Sequence, residues 1–179
     1  MKNQPTITLR KATIHDLATL CHWDEQAHVI ASDPNDEWEW EYELTRDPEW
    51  REQLIAELDG QPLGFVQIID PAAEETHYWG NIGENKRAID IWIGDKENLG
   101  KGYGTQMMRL ALERCFADEH VTEVIIDPLA SNTDAIRFYQ RIGFVFVEQR
   151  TFGDDQCDVY AITQQQWRDK QPEQRHGKK

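Results

Sequence analysis

The sequence predicts an α/β protein with a mixed sheet, and three observations carry that prediction. Short apolar runs with strand-like alternation are interleaved with stretches whose apolar residues repeat at helical spacing. Asp59-Gly60 joins two of the apolar runs as a hairpin turn. A glycine-rich turn, Gly100-Lys101-Gly102-Tyr103-Gly104, stands between an apolar strand and an amphipathic helix.

The elements follow in order. Thr6 to Arg10 alternates and reads as an edge strand. Thr13 is placed to cap a helix from Ile14 to Trp23, with Asp16 in the capping-box position and Leu17, Leu20 and Cys21 at helical spacing. Residues 29–50 read as irregular to helical. Leu54–Leu58 and Pro62–Ile69 form the hairpin, and residues 70–85 a polar loop holding Tyr78 and Trp79. Arg87–Ile93 is apolar on both faces apart from Asp90 and so reads as a central strand. A helix over 103–117 buries Met108, Ala111, Leu112 and Cys115. Val121–Ile126 is a strand. Ser131 or Asn132 caps a helix through Ile142, whose core face is Ala135, Phe138, Tyr139 and Ile142, and Gly143 ends it. Phe144–Glu148 and Val159–Thr163 are the last two strands. One domain over 1–167 is expected, followed by a polar, disordered tail over 168–179.

Composition narrows the function classes. The net charge of −14 disfavours nucleic acid, because neutralising phosphates needs basic patches. Residues 24–59 hold thirteen acidic side chains against Arg46 and Arg51, a field that would steer a cationic substrate. A solvated acidic surface accounts for the same count. No run reaches the ~18–20 apolar residues of a membrane span, and no signal-peptide pattern opens the chain. Cys21, Cys115 and Cys157 are far apart and odd in number, which indicates neither a zinc site nor a disulfide framework; a reducing cytoplasm is the expected location.

The glycine turn is the most informative stretch. Several backbone N–H groups are exposed at a helix N-terminus, where the dipole favours an anion, and glycine lets the backbone approach closely. Leu99 to Thr105 fits neither the phosphate loop G-x-x-x-x-G-K-[ST] nor the dinucleotide fingerprint G-x-G-x-x-G. Its sequence resembles instead the acyl-CoA pyrophosphate loop of the GCN5-related N-acetyltransferases (GNAT), [QR]-x-x-G-x-[GA], with Leu99 a departure at the [QR] position. Asn132, Ala135, Tyr139, Gly143 and Phe144 match the second signature of that family, N-x-x-A-x-x-x-Y-x-x-x-G-F.

R-x-I-D before the loop, L-G-K-G-x-G-T within it, and D-P-x-x-S-N then A-I-R-x-Y after it resemble more narrowly the aminoglycoside 6′-N-acetyltransferases, which also carry leucine at the position of Leu99. The likeness covers residues 6 to about 167. It implies a mostly antiparallel central sheet flanked by helices. It implies acetyl-CoA as cosubstrate, no metal, and acetyl transfer to the 6′-amine of a cationic antibiotic through a ternary complex. Acetyl-CoA would lie along Ile91, Trp92 and Ile93, over Leu99, Gly100, Lys101, Gly102, Tyr103, Gly104 and Thr105, and against Asn132, Ala135 and Phe138.

The chemistry assigns roles. Acetyl transfer needs a neutral amine, so a group must anchor the ammonium and take its proton. Asp90, an acid in an apolar strand, is costly to place there unless it is paired or functional, and the resemblance makes it the base; a solvated, edge-facing aspartate is the alternative. Asp127 lies beyond the carboxyl end of its strand, where α/β sheets place ligands, and would anchor a second ammonium; a loop carboxylate without a role is the alternative. Tyr139 would protonate the leaving thiolate, as a phenol of ordinary pKa ~10 can, or would be a core tyrosine. Trp38 and Trp79 offer faces for sugar rings, and Glu75 and Glu84 carboxylates for ammonium groups, unless these serve packing and solvation.

Three other readings remain open: acyl transfer to a siderophore hydroxylysine, to a polyamine or to a protein amine. A non-catalytic acyl-CoA-binding module is a fourth. Histidine is expected at position 90 in the hydroxylysine enzymes, and an arginine in the loop of protein Nα-acetyltransferases. The chain is expected to act as a monomer or a homodimer.

Overall fold

The computed structural model describes residues 5–172. Seven strands form one sheet. They are β1 (Ile7–Lys11), β2 (Arg51–Leu58), β3 (Gln61–Ile69), β4 (Lys86–Ile93), β5 (Glu123–Ile126), β6 (Val145–Phe152) and β7 (Asp155–Thr163), in the order β1-β2-β3-β4-β5-β7-β6. Every neighbouring pair is antiparallel except β4 and β5, so the mixed, mostly antiparallel sheet expected from the sequence is present.

Six helices complete the fold: α1 (Leu17–Asp24), α2 (Ala27–Ser32), α3 (Trp40–Glu43), α4 (Tyr103–Phe116), α5 (Thr133–Ile142) and α6 (Gln164–Lys170). The large core cluster lies on one face, where Met107, Met108, Ala111, Leu112 and Cys115 of α4 meet Leu54, Val66, Ile68, Ile89, Val124 and Ile162. The opposite face carries a smaller aromatic cluster of Trp23, Trp40 and Phe65, with Trp38 and Trp92 packed against it. Strand alternation divides β4 between the two layers. Ile89, Ile91 and Ile93 join the α4 side, and Trp92 the aromatic side.

Several boundaries differ from the sequence reading, each for a local reason. The first helix opens with a 3₁₀ turn over Ile14–Asp16 before α1 begins. Asp16 accepts a 2.8 Å hydrogen bond from the Thr13 N–H, as the capping box requires, and also takes Arg10 at 2.7 Å, which ties the turn to β1. The strands β2, β6 and β7 are longer than their apolar runs, because backbone pairing continues through polar residues such as Glu52, Arg150 and Gln156. The tail is a correction. Residues 168–170 belong to α6, which Thr163 and Gln166 cap and whose Trp167 is buried in the main core. Residues 173–179 of the expected tail lie outside the described residues. Among the described residues no helix is long and apolar enough to cross a membrane.

One close approach positions the end of β4. A Cβ on Gly94 would fall 2.0 Å from the buried ring of Trp23. The Gly94 N–H also donates to the Leu63 carbonyl at 3.0 Å. Gly94→Ala is therefore expected to lower stability by ~1–3 kcal/mol through overpacking, read as a lower urea midpoint at unchanged slope.

Candidate active site

The site forms where two strands part. β4 and β5 are paired only at Lys86–Glu123, Arg87–Val124 and Ala88–Ile125. Beyond Ala88 the two strands are no longer paired. Residues 89–93 of β4 then keep β3 as their partner on one side, which leaves the backbone polar groups of the other edge without a strand partner. One of these carbonyls, on Ile93, accepts a 2.8 Å hydrogen bond from His28 Nε2 of α2.

The chain turns from β4 into α4 at the glycine run. Gly100 and Gly102 both have positive φ, 71° and 81°, and a Cβ on either would meet nothing within 4 Å, so the turn presents bare backbone to the exterior. Gly102 caps α4, and the first bond of the helix runs from the Gln106 N–H to the Gly102 carbonyl. The N–H groups of Tyr103, Gly104 and Thr105 precede that bond and have no acceptor within the helix. This 14-residue helix therefore directs three donors and its positive dipole end at the turn. Phe138 of α5 packs against Gly104, 3.6 Å from where a Cβ would stand, and so brings α5 alongside the turn. A cleft of about 120 Å³ continues between α4, α5 and α6, lined by Thr105, Arg109, Arg141, Ile142, Trp167 and Lys170 among others. In a chain of net charge −14, this places three cations beside the anion-seeking turn.

The opposite side of the parting is acidic. Asp90 faces the aromatic side, and burial, with a smaller contribution from Asp36, pushes its carboxyl up to about 6 against a 2.8 Å hydrogen bond from Gln67 Nε2. Asp127 follows β5. Burial and the charge of Asp90 push it up to about 7, against a 2.6 Å hydrogen bond from the Tyr78 hydroxyl. Asp33 and Asp36 are raised as well, by partial desolvation, and Asp33 also by the neighbouring carboxylates Asp36, Asp90 and Asp155. The Tyr139 phenol is held above its ordinary range by burial and by Asp90 and Asp127, so it stays protonated at neutral pH and is available as a hydrogen-bond and proton donor. Burial raises all four carboxyls, and neighbouring carboxylates raise Asp33, Asp90 and Asp127 further, so a cation placed among them would be favoured.

The structure thus gathers Asp90, Asp127 and Tyr139 at one end of the parted strands, with the 99–105 turn and Phe138 adjacent. Asn132 caps α5, its side-chain oxygen accepting from the Ala135 N–H at 3.2 Å, which leaves its NH₂ as the free donor. Trp38 is partly buried and stacks flat on Trp40 at 4.6 Å.

Three candidates stand elsewhere. Trp79 is 5% exposed, its ring packed edge-on against Phe152 at 5.1 Å, so it is a core residue rather than a platform for a sugar. Its neighbour Tyr78 is exposed, stacked on Phe152 at 4.6 Å, and donates to Asp127. Glu75 pairs with Arg46 at 2.5 Å. Glu84 is exposed and precedes β4, whose first residue, Lys86, lies about 13 Å of extended strand from Asp90. Sequence reasoning missed Gln67, Asp33, Asp36 and the Arg109–Arg141 pair. The polar Gln67 inside an apolar β3 was a usable signal; the rest depend on tertiary proximity.

Asp127→Asn should change stability with a characteristic pH dependence. A carboxyl whose pKa is raised by folding costs stability as pH climbs from its unfolded value, ~3.9, through about 7. The variant should match the parent near pH 4 and melt higher by a few degrees at pH 8, measured by thermal unfolding.

A family model described as an acetyltransferase (GNAT) domain matches residues 13–152. The aminoglycoside N(6′)-acetyltransferase type 1 of Klebsiella pneumoniae is 33% identical over 155 residues, 78% of this chain and 74% of that protein. The solved structure of the aminoglycoside acetyltransferase AAC(6′)-Ib with coenzyme A and kanamycin superposes with a TM-score of 0.82 at 29% identity, over 92% of this chain and 99% of that one. A spermidine N-acetyltransferase from Vibrio cholerae, 18% identical, shares the fold with a TM-score of 0.73 over 90% of this chain and 97% of that one.

Proposed function

Because this chain belongs to the GNAT acetyltransferase family, we propose that it moves an acetyl group from acetyl-CoA to the 6′-amine of an aminoglycoside. The observation that carries the acceptor is the crowded carboxyl cluster of Asp33, Asp36, Asp90 and Asp127, which suits a rigid polycation. Two relatives point the same way, since the Klebsiella protein is named for that reaction and AAC(6′)-Ib was solved with kanamycin.

The residues present fit acetyl-CoA. Positive-φ glycines and the free N–H groups of α4 suit its pyrophosphate, and Arg109, Arg141 and Lys170 suit further phosphate charge. The unpaired edge of Ile91–Ile93 and the NH₂ of Asn132 suit its amide-bearing arm. Acetyl-CoA supplies the acetyl group as a thioester.

The chain's own groups perform the proton movements. Asp127 and the neighbouring carboxylates hold the acceptor's ammonium groups and fix the amine over β4. Asp90 takes the proton of the reacting ammonium, and a pKa of about 6 keeps it ionised yet basic at neutral pH. The hydroxyl of Tyr139 gives its proton to the departing thiolate.

Purified protein with acetyl-CoA should release thiol with kanamycin, and not with an analogue bearing a hydroxyl at 6′. No release with any aminoglycoside, together with release on spermidine or N6-hydroxylysine, would replace the acceptor reading. Asp90→Asn should lower kcat/KM by ~10²–10⁴-fold, and Tyr139→Phe by roughly ten- to a hundredfold. In the parent, kcat/KM should fall as pH drops through about 6, because the base must be ionised.

A further inference from the structure

Gln53, Gln67 and Asp90 stand abreast on three adjacent strands. Gln53 of β2 is the Cα partner of Gln67 on β3, and Gln67 is the partner of Asp90 on β4. Direct partners in an antiparallel pair lie close enough for their side chains to touch on one face. Here they link end to end: Gln53 Nε2 donates to Gln67 Oε1 at 3.1 Å, and Gln67 Nε2 donates to Asp90 Oδ2 at 2.8 Å. Both glutamines are buried, at 9% and 4% exposure.

Packing alone does not explain this row. The flanking positions Leu54, Ile55, Val66 and Ile68 are apolar and buried, and apolar side chains would fill positions 53 and 67 without the cost of burying two amides. The row has a direction as well as a place. An ionised carboxylate only accepts, so Gln67 must turn its NH₂ to Asp90 and its oxygen away. Gln53 supplies a donor to that oxygen, and a reversed Gln67 would set two NH₂ groups against each other.

We infer that Gln67 is a positioning residue that holds Asp90 as an ionised, cleft-facing carboxylate, and that Gln53 locks the Gln67 amide in the only orientation that does so. Its catalytic meaning rests on the reading of Asp90 as the base. The groups facing Asp90 from the surrounding elements are Asp33 and Asp36 before α3, Asp127 after β5, Tyr78 of the 70–85 loop and Tyr139 of α5. All are acids. Among the described residues Gln67 alone donates a hydrogen bond to Asp90, so it is the group that offsets burial and like charge.

Q67M and Q53M remove the amides at nearly constant length. The test is a carboxyl ¹³C NMR titration of aspartate-labelled full-length protein, with the Asp90 signal assigned by its loss in D90N. In parallel, kcat/KM for thiol release from acetyl-CoA with kanamycin is measured against pH. The Asp90 midpoint should rise by about one unit in Q67M. It should also rise, by less, in Q53M, and Q53M/Q67M should match Q67M alone because the second amide acts only through the first. The acid limb of kcat/KM should move with the midpoint, whereas a purely structural role would lower activity evenly at all pH. An unmoved midpoint in a folded Q67M, or additive shifts in the double variant, overturns the inference. If Q67M does not fold, a Q53M midpoint equal to the parent's overturns it. A midpoint that moves while the acid limb stays fixed upholds the relay and overturns Asp90 as the base.

Discussion

Only three residue pairs join β4 to β5, and the parting of the strands beyond Ala88 determines the rest of the functional architecture. A parallel pair leaves both strands pointing the same way, so both carboxyl ends open on one side of the sheet. The β4 end runs into the glycine turn and α4, and the β5 end into Asp127 and α5. The gap between them has a strand edge along one wall, a helix terminus at one rim and a phenol from α5 across it. Full pairing of β4 and β5 would satisfy that edge and close the gap. The hydrogen-bonding capacity that a ligand uses is capacity the sheet leaves unspent.

Charge divides the same gap. On one side, Arg109, Arg141 and Lys170 line the cleft beside the α4 terminus. On the other, Asp33, Asp36, Asp90 and Asp127 raise one another or are raised by enclosure. Such a division of charge would steer an anionic ligand to one side and a cationic ligand to the other. The acidic side is the costly one: ionising these carboxyls opposes burial and, at Asp33, Asp90 and Asp127, a neighbouring negative charge.

Much of this was legible in the sequence because it is local. The 99–105 turn, the Asn132 cap and the Gly143 stop are set by short-range backbone chemistry, and an acid in an apolar strand marked Asp90. Helix α6 escaped notice because its composition is polar, and Trp167, the residue that docks it, looked like the last apolar residue of the chain rather than an anchor. That Trp79 is buried and Tyr78 exposed was not readable, because neighbouring residues of an irregular loop have no period from which to read a facing direction. Gln53 and Gln67 gain meaning only from the register that sets them beside Asp90, and register between strands is not a local property.

The alternation along β4 has one more consequence. Ile89, Ile91 and Ile93 belong to the α4 layer, while Trp92 and the Asp90 carboxyl belong to the other. The strand is a partition whose two faces can drift independently under selection. Substitutions at even-numbered positions and in the 29–50 segment can retune the acceptor while the odd-numbered face keeps its packing against the helix that opens at the glycine turn. A lineage built on such a strand can diversify its substrates without rebuilding its acyl donor site.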